Sequence, residues 1–308
     1  VKKLFSIFIL IAAATVLKAQ QLPHYSNYML NDYPMNPAVG GSDPYFEGLS
    51  NNRYQWIGIT DAPRTYMLSV NGPTKNQKMG MGGLLFTDIV GPTRRTGFYL
   101  SYAYHMKVAE KVKVSLGLSA GILQFMVDGS KITLHDPKDN VISGGVEQTL
   151  MPDFGAGIYA YSTDKKWYVG ASVPQLMQSR IKFYDYTYTG LSRLATHYYV
   201  TGGYKFDLSA NFKLEPSTCI KFVQPAPVQF DLGLRAIYKE KIWLGAAYRH
   251  LDAVSAMVGF IMQENLMLAY SYDYTMTNIG KYSTGTHELM IGIKFHRTPE
   301  KNSQAKIK

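Results

Sequence analysis

The chain has 308 residues, 46% hydrophobic and 18% charged, which excludes a disordered polymer. Beyond the N-terminus no apolar run reaches the ~18 residues of a spanning helix. The formal charge of +10 is spread along the chain without a basic-aromatic cluster, so no nucleic acid partner is expected.

In chain order, Lys2 and Lys3 precede an apolar stretch from Leu4 to Leu17, and Ala19 precedes Gln20. This is the pattern of a secretory signal peptide over 1–19. The stretch is shorter than the ~20 apolar residues a membrane span needs. Without Lys2, Lys3 and Lys18 the formal charge is +7. The expected organisation is a signal at 1–19, one folded unit at 20–296 and a polar tail at 297–308.

Period-two alternation dominates the folded unit. From Phe98 to Val108 one face carries Phe98, Leu100, Tyr102 and Tyr104, and the other carries Tyr99, Ser101, Ala103 and His105. Farther on, Phe230, Leu232 and Leu234 oppose Asp231, Gly233 and Arg235, and Leu266–Thr275 repeats the pattern. Strands are expected near 45–56, 64–73, 79–88, 95–108, 111–126, 152–162, 166–174, 196–208, 211–223, 227–239, 241–251, 254–263, 265–276 and 285–296. They number about fourteen, an even count, as single-chain bacterial barrels generally have.

A soluble sandwich buries its apolar face, whereas a membrane barrel turns that face to lipid. Strands near ten residues, tyrosines at strand ends and glycines on the polar face favour the barrel. The expected fold is therefore all-β, a transmembrane antiparallel β-barrel of about 14 strands in the outer membrane. The connections at 129–151 and 174–195 read as extracellular loops or a lumen plug. In the last strand Leu289, Ile291, Ile293 and Phe295 alternate with Glu288, Met290, Gly292 and Lys294. It resembles the aromatic-ended strand by which such barrels are recognised for assembly.

Ions on the polar faces must line the lumen, because hydrocarbon makes each costly. Lys205, Asp207, Asp231, Arg235, Arg249, Asp273 and Glu288 are the lumen-lining candidates, with Lys107, Lys113 and Lys294 beside them. Mixed signs in a narrow barrel favour pairing over a selective channel. His105, His135, His197, His250, His287 and His296 show no metal-ligand spacing, and no Gly-x-Ser-x-Gly elbow occurs. Cys219 is the one cysteine and reads as a buried or lipid-facing filler. No catalytic residue, metal or cofactor is expected, and the chain is not read as an enzyme.

The most specific stretch follows the signal. Tyr25-Ser26-Asn27-Tyr28-Met29-Leu30-Asn31, Asn36-Pro37-Ala38-Val39-Gly40-Gly41, Arg53-Tyr54-Gln55-Trp56-Ile57-Gly58, Ala62-Pro63-Arg64-Thr65 and Leu68-Ser69-Val70-Asn71-Gly72-Pro73 occur in this order. The ordered set resembles the N-terminal signature of the PorP/SprF family of type IX secretion system membrane proteins. Gly80-Met81-Gly82-Gly83 and Asp88-Ile89-Val90-Gly91-Pro92 continue the resemblance.

The resemblance implies a non-enzymatic outer-membrane component that supports secretion or surface retention of large cargo proteins such as adhesins. The partners it implies are cargo with a type IX C-terminal sorting domain, other translocon subunits and a peptidoglycan-associated lipoprotein, with outer-membrane lipid around the strands. A porin-like transport channel is the alternative. Asn36, Pro37, Gly40, Gln55, Trp56, Arg64 and Thr65 are the candidates for partner contact. Pro37 fixes its φ and Gly40-Gly41 allows backbone shapes closed to other residues, so an N-terminal segment folded into the barrel stands beside the docking reading.

Overall fold

Alternating side chains can serve two solvents at once, because successive Cβ atoms of a strand point to opposite faces. The computed structural model describes residues 22–23, 25–133, 145–181, 193–224 and 226–296. The expected signal peptide, the polar tail, His135 and the centres of both long connections lie outside the described residues.

The strands are β1 (Phe46–Tyr54), β2 (Arg64–Pro73), β3 (Met79–Val90), β4 (Thr93–Ala109), β5 (Val112–Asp128), β6 (Val146–Ser162), β7 (Trp167–Val173), β8 (His197–Tyr204), β9 (Phe206–Asp207), β10 (Phe212–Val223), β11 (Gln229–Tyr238), β12 (Ile242–Arg249), β13 (Ala253–Met262), β14 (Leu266–Thr275) and β15 (Thr286–Phe295). β8 and β9 form one stave, interrupted at Lys205, and both pair with β10. Each stave runs antiparallel to its neighbours, and β15 closes on β1 from Phe46↔Phe295 to Tyr54↔His287. The result is a closed barrel of 14 staves, in which every stave is paired on both sides. Closure is what hydrocarbon demands, since an open edge there would leave backbone groups without partners.

The apolar faces point outward. Leu118, Leu232 and Leu244 are 65%, 50% and 63% exposed, while the inward Ser69, Ser115 and Ser271 are fully buried. This is the inverse of a soluble sandwich and the arrangement of a membrane barrel. Among the described residues no helix is long and apolar enough to cross a membrane.

One strand boundary departs from the sequence expectation by six residues. β6 starts at Val146, not near 152, because Val146–Met151 continue the ladder with Leu123–Asp128 of β5. Glu147, Gln148 and Thr149 hide this extension, since polar residues stand on both faces there. β4, β5 and β6 have 17 residues each, about 55 Å at ~3.3 Å per residue. A lipid band ~25 Å tall needs less, so this three-strand wall projects beyond it. The turns at 74–78, 110–111, 163–166, 208–211, 239–241 and 263–265 are short and share the end where Phe295 finishes. Short turns mark the periplasmic end of outer-membrane barrels, and the long connections leave the opposite end.

Candidate functional site: a lumen filled by the N-terminal segment

The segment from Tyr25 to Tyr45 does not lie outside the wall. It enters the barrel, and Ser26, Asn27, Tyr28, Asn31, Tyr33, Met35 and Asn36 to Gly41 are buried there.

Its first part is held by charge. The Ser26 hydroxyl lies 2.7 Å from both carboxylate oxygens of Asp273, and the Ser26 amide donates to Glu288 Oε2 at 2.9 Å. The Asn27 amide and side chain both donate to Glu288 Oε1, at 3.2 and 3.1 Å. Arg53 completes the knot, donating to Ser26 Oγ at 2.8 Å, Asp273 at 2.8 Å and Glu288 at 3.1 Å. Arg249 approaches Asp273 at 3.4 Å and Asp231 at 3.5 Å, and Lys221 pairs with Asp231 at 2.8 Å. Two buried arginines and the half-buried Lys221 thus face three buried carboxylates, with the more exposed Asp252 outside at 3.2 Å from Arg249. Matching of this kind is what makes buried ions tolerable. Asn31 extends the contact by donating to Asn51 at 2.9 Å and Ser69 at 3.1 Å.

The second part is held by shape. A 3-10 turn at Pro37–Val39 is capped by Asn36, whose Oδ1 accepts from the Ala38 amide at 3.0 Å. Pro37 suits the first turn, where its missing N–H has no partner to lose. The turn sits against inward glycines of the wall. A Cβ at Gly117 would come closer than 3.0 Å to Pro37 and Ala38, one at Gly157 or Gly170 would do so to Asn36, and one at Gly80 to Gly40. These glycines are notches that admit the segment.

Hydrogen bonds then lock the fit. Asn36 Nδ2 donates to the Ile158 carbonyl at 3.0 Å, Ser172 donates to the Met35 carbonyl at 2.6 Å, and Tyr33 and Ser101 share a bond of 2.7 Å. His105 Nε2 lies 2.9 Å from the Gly40 carbonyl, which can only accept, so this nitrogen carries the proton. His105 Nδ1 then accepts from the Tyr161 hydroxyl at 3.0 Å.

The seven family-motif candidates fall into two groups. Asn36, Pro37 and Gly40 are inside the lumen. Gln55, Trp56, Arg64 and Thr65 are at the long-loop end, where the Trp56 amide donates to Thr286 at 3.1 Å and Gln55 to the Pro63 carbonyl at 2.9 Å. Arg64 is exposed. Thr65 is buried and donates to Asp88, itself paired with Arg95 at 2.7 Å.

Of the lumen candidates, Asp231, Arg249, Asp273 and Glu288 meet in the network that holds Ser26. Arg235 pairs with Glu215 at 2.7 Å and lies over the Trp243 ring. Lys205 lines a vestibule of roughly 1200 Å³ open at the short-turn end, and Asp207 is on the rim, paired with Lys166 at 2.7 Å. Asp32, in the segment itself, faces this vestibule; burial pushes its carboxyl up to about 7, with the Asp43 carboxylate adding to the effect.

Arg53, Ser26, Asn27, Lys221 and Glu215 belong to these contacts and were missed as site residues. Arg53 was findable, because a cation two residues after Asn51 on a membrane strand has only the lumen to face. Among the described residues no group of three or more His, Cys, Asp or Glu is placed to hold a metal ion.

The model of the type IX secretion system membrane protein PorP/SprF matches residues 17–293. The chain belongs to the PorP/SprF family. With the closed barrel, this makes it a multi-strand outer-membrane protein and a component of type IX secretion. No curated protein matches it. Similar solved structures include a FadL homologue of Pseudomonas aeruginosa, 13% identical over 89% of this chain and 95% of that one, with a TM-score of 0.49. The toluene transporter TbuX of Ralstonia pickettii is 11% identical over 88% and 94%, also at 0.49. The outer membrane protein Omp33 of Acinetobacter baumannii is 8% identical over 83% and 99%, at 0.45.

Proposed function

We propose that this PorP/SprF barrel is a non-enzymatic platform that helps type IX cargo reach or stay on the cell surface, and that it does not conduct solutes. The observation that supports this reading is the occupied lumen: the segment bearing the family signature fills the barrel and is tied to it by a buried ion network.

In this reading Asn36, Pro37 and Gly40 shape the plug, and the partner surface is the long-loop rim, where Gln55, Trp56 and the exposed Arg64 are gathered. Cargo carrying a type IX C-terminal sorting domain is the partner on that side. Other translocon subunits and a peptidoglycan-associated lipoprotein meet the short-turn end.

Deleting the gene tests the proposal: cargo should vanish from the surface while other outer-membrane proteins keep their levels, and unchanged surface cargo would refute it. The channel reading draws on the vestibule. Steady conductance of the purified protein in planar bilayers would favour it over the platform.

A further inference from the structure

Of the six carboxylates buried in the barrel wall among the described residues, five have cations beside them and one does not. Asp88, Glu215, Asp231, Asp273 and Glu288 each lie within 3.1 Å of an arginine or lysine nitrogen. Asp153, on β6, is 1% exposed and makes no ion pair among the described residues. The Tyr99 hydroxyl donates to its Oδ2 at 2.9 Å, and its Oδ1 has no hydrogen-bond partner among the described residues. A buried acceptor left in this state is costly unless something else supplies the donor.

Asp153 also lines a chamber. A narrow space lies between the N-terminal segment and the wall, bounded by Leu22, Met35, Leu84, Phe86 and Tyr99, with Ser101, Ser119 and Gln175 also on its lining. Mostly apolar walls with a few placed polar groups are the usual lining of a small-molecule pocket.

We propose that this chamber binds a small apolar molecule carrying a protonated amine, with Asp153 as its anionic partner. The ammonium supplies both the missing hydrogen bond and the missing positive charge. The apolar arm lies between Met35 of the segment and Phe86 of the wall. A carboxylate ligand is rejected by Asp153, and a neutral alcohol provides a donor without the charge.

Equilibrium dialysis of radiolabelled phenethylamine against the purified full-length protein in detergent tests this, with 3-phenylpropionate and 2-phenylethanol as comparators. Saturable one-site binding of the amine is expected, with neither comparator competing at equal concentration. Asp153→Asn should weaken it at least about tenfold, the loss of one charge-assisted hydrogen bond. Tyr99→Phe frees the second carboxylate oxygen and should bind the amine at least as tightly as the parent. Heat-modifiable migration on gels separates a lost site from a lost fold, and the comparator experiment on the parent protein needs no variant at all. Absence of saturable binding, equal binding of acid or alcohol, or unchanged binding by a folded Asp153→Asn protein would overturn the proposal.

Discussion

The two parts of the N-terminal segment are held in one lumen by opposite means. Ser26 and Asn27 are gripped by ions that the wall aims at them: Arg53 from β1, Asp273 from β14 and Glu288 from β15. The 3-10 turn at Pro37–Val39 meets no charge of that kind; with its caps Asn36 and Gly40 it occupies space vacated by Gly117, Gly157 and Gly80. Attraction specifies the first half and the absence of side chains specifies the second. The first arrangement should therefore yield to loss of charge and the second to added volume.

Removing the whole segment should have the largest effect. A protein lacking residues 25–41 should give sustained current in planar bilayers where the intact protein gives none, and its unfolding midpoint should fall. A silent deletion protein would mean that the segment is not what closes the lumen.

Next comes Arg53→Met, which leaves Asp273 and Glu288 facing Ser26 with only Arg249 nearby. Breaking a buried ion network on one side costs about 3–5 kcal/mol. It should appear as protease cleavage within 25–31 and a lower denaturation midpoint. Arg53→Lys should fall between, because an ammonium is a point charge that cannot reproduce the fork spanning Ser26, Asp273 and Glu288.

Gly117→Val attacks the other half. Overfilling a packed site costs about 1–3 kcal/mol, and cleavage should move to 33–41 with the Ser26 end still protected. Cleavage confined to 25–31 in this variant would erase the distinction between the two grips.

The smallest effect concerns pH. The raised pKa of Asp32 means that the folded protein keeps a proton the unfolded chain has already released. The resulting penalty grows as pH rises from the ordinary carboxylate range to about 7 and stays constant above it. Asp32→Asn should therefore raise the melting temperature at pH 8 and leave it unchanged at pH 4. Asp43, Lys165 and Glu215 also act on this group, and its exposure to the vestibule keeps the gain small.

Much of the wall was legible because its signal is local. Leu232 and Asp231 are adjacent in sequence, and only their alternation is needed to send one to lipid and the other to the lumen. The start of β6 was missed where that signal stops: Glu147, Gln148 and Thr149 lie beyond the apolar pattern yet remain on the ladder. Inward glycines were recognised as a mark of crowding, but not what crowds them. What Gly117 and Gly157 make room for is seen only with Pro37 and Asn36 against them. Among the ions, pairing was the expected outcome, while the choice of partners was not. Asp273 and Glu288 are joined through Arg53, a residue that sequence reading assigned to a motif and not to the lumen.

By itself, then, the sequence determined a closed antiparallel barrel with its apolar face outward, since alternation and the cost of charge in hydrocarbon act on neighbouring residues. The ordered motifs from Tyr25 to Pro73 likewise carried the family. Only the tertiary structure decided that these motifs divide between a buried plug and an outer rim. Ser26 and Glu288 stand 262 residues apart along the chain, and it is barrel closure that brings them within a hydrogen bond.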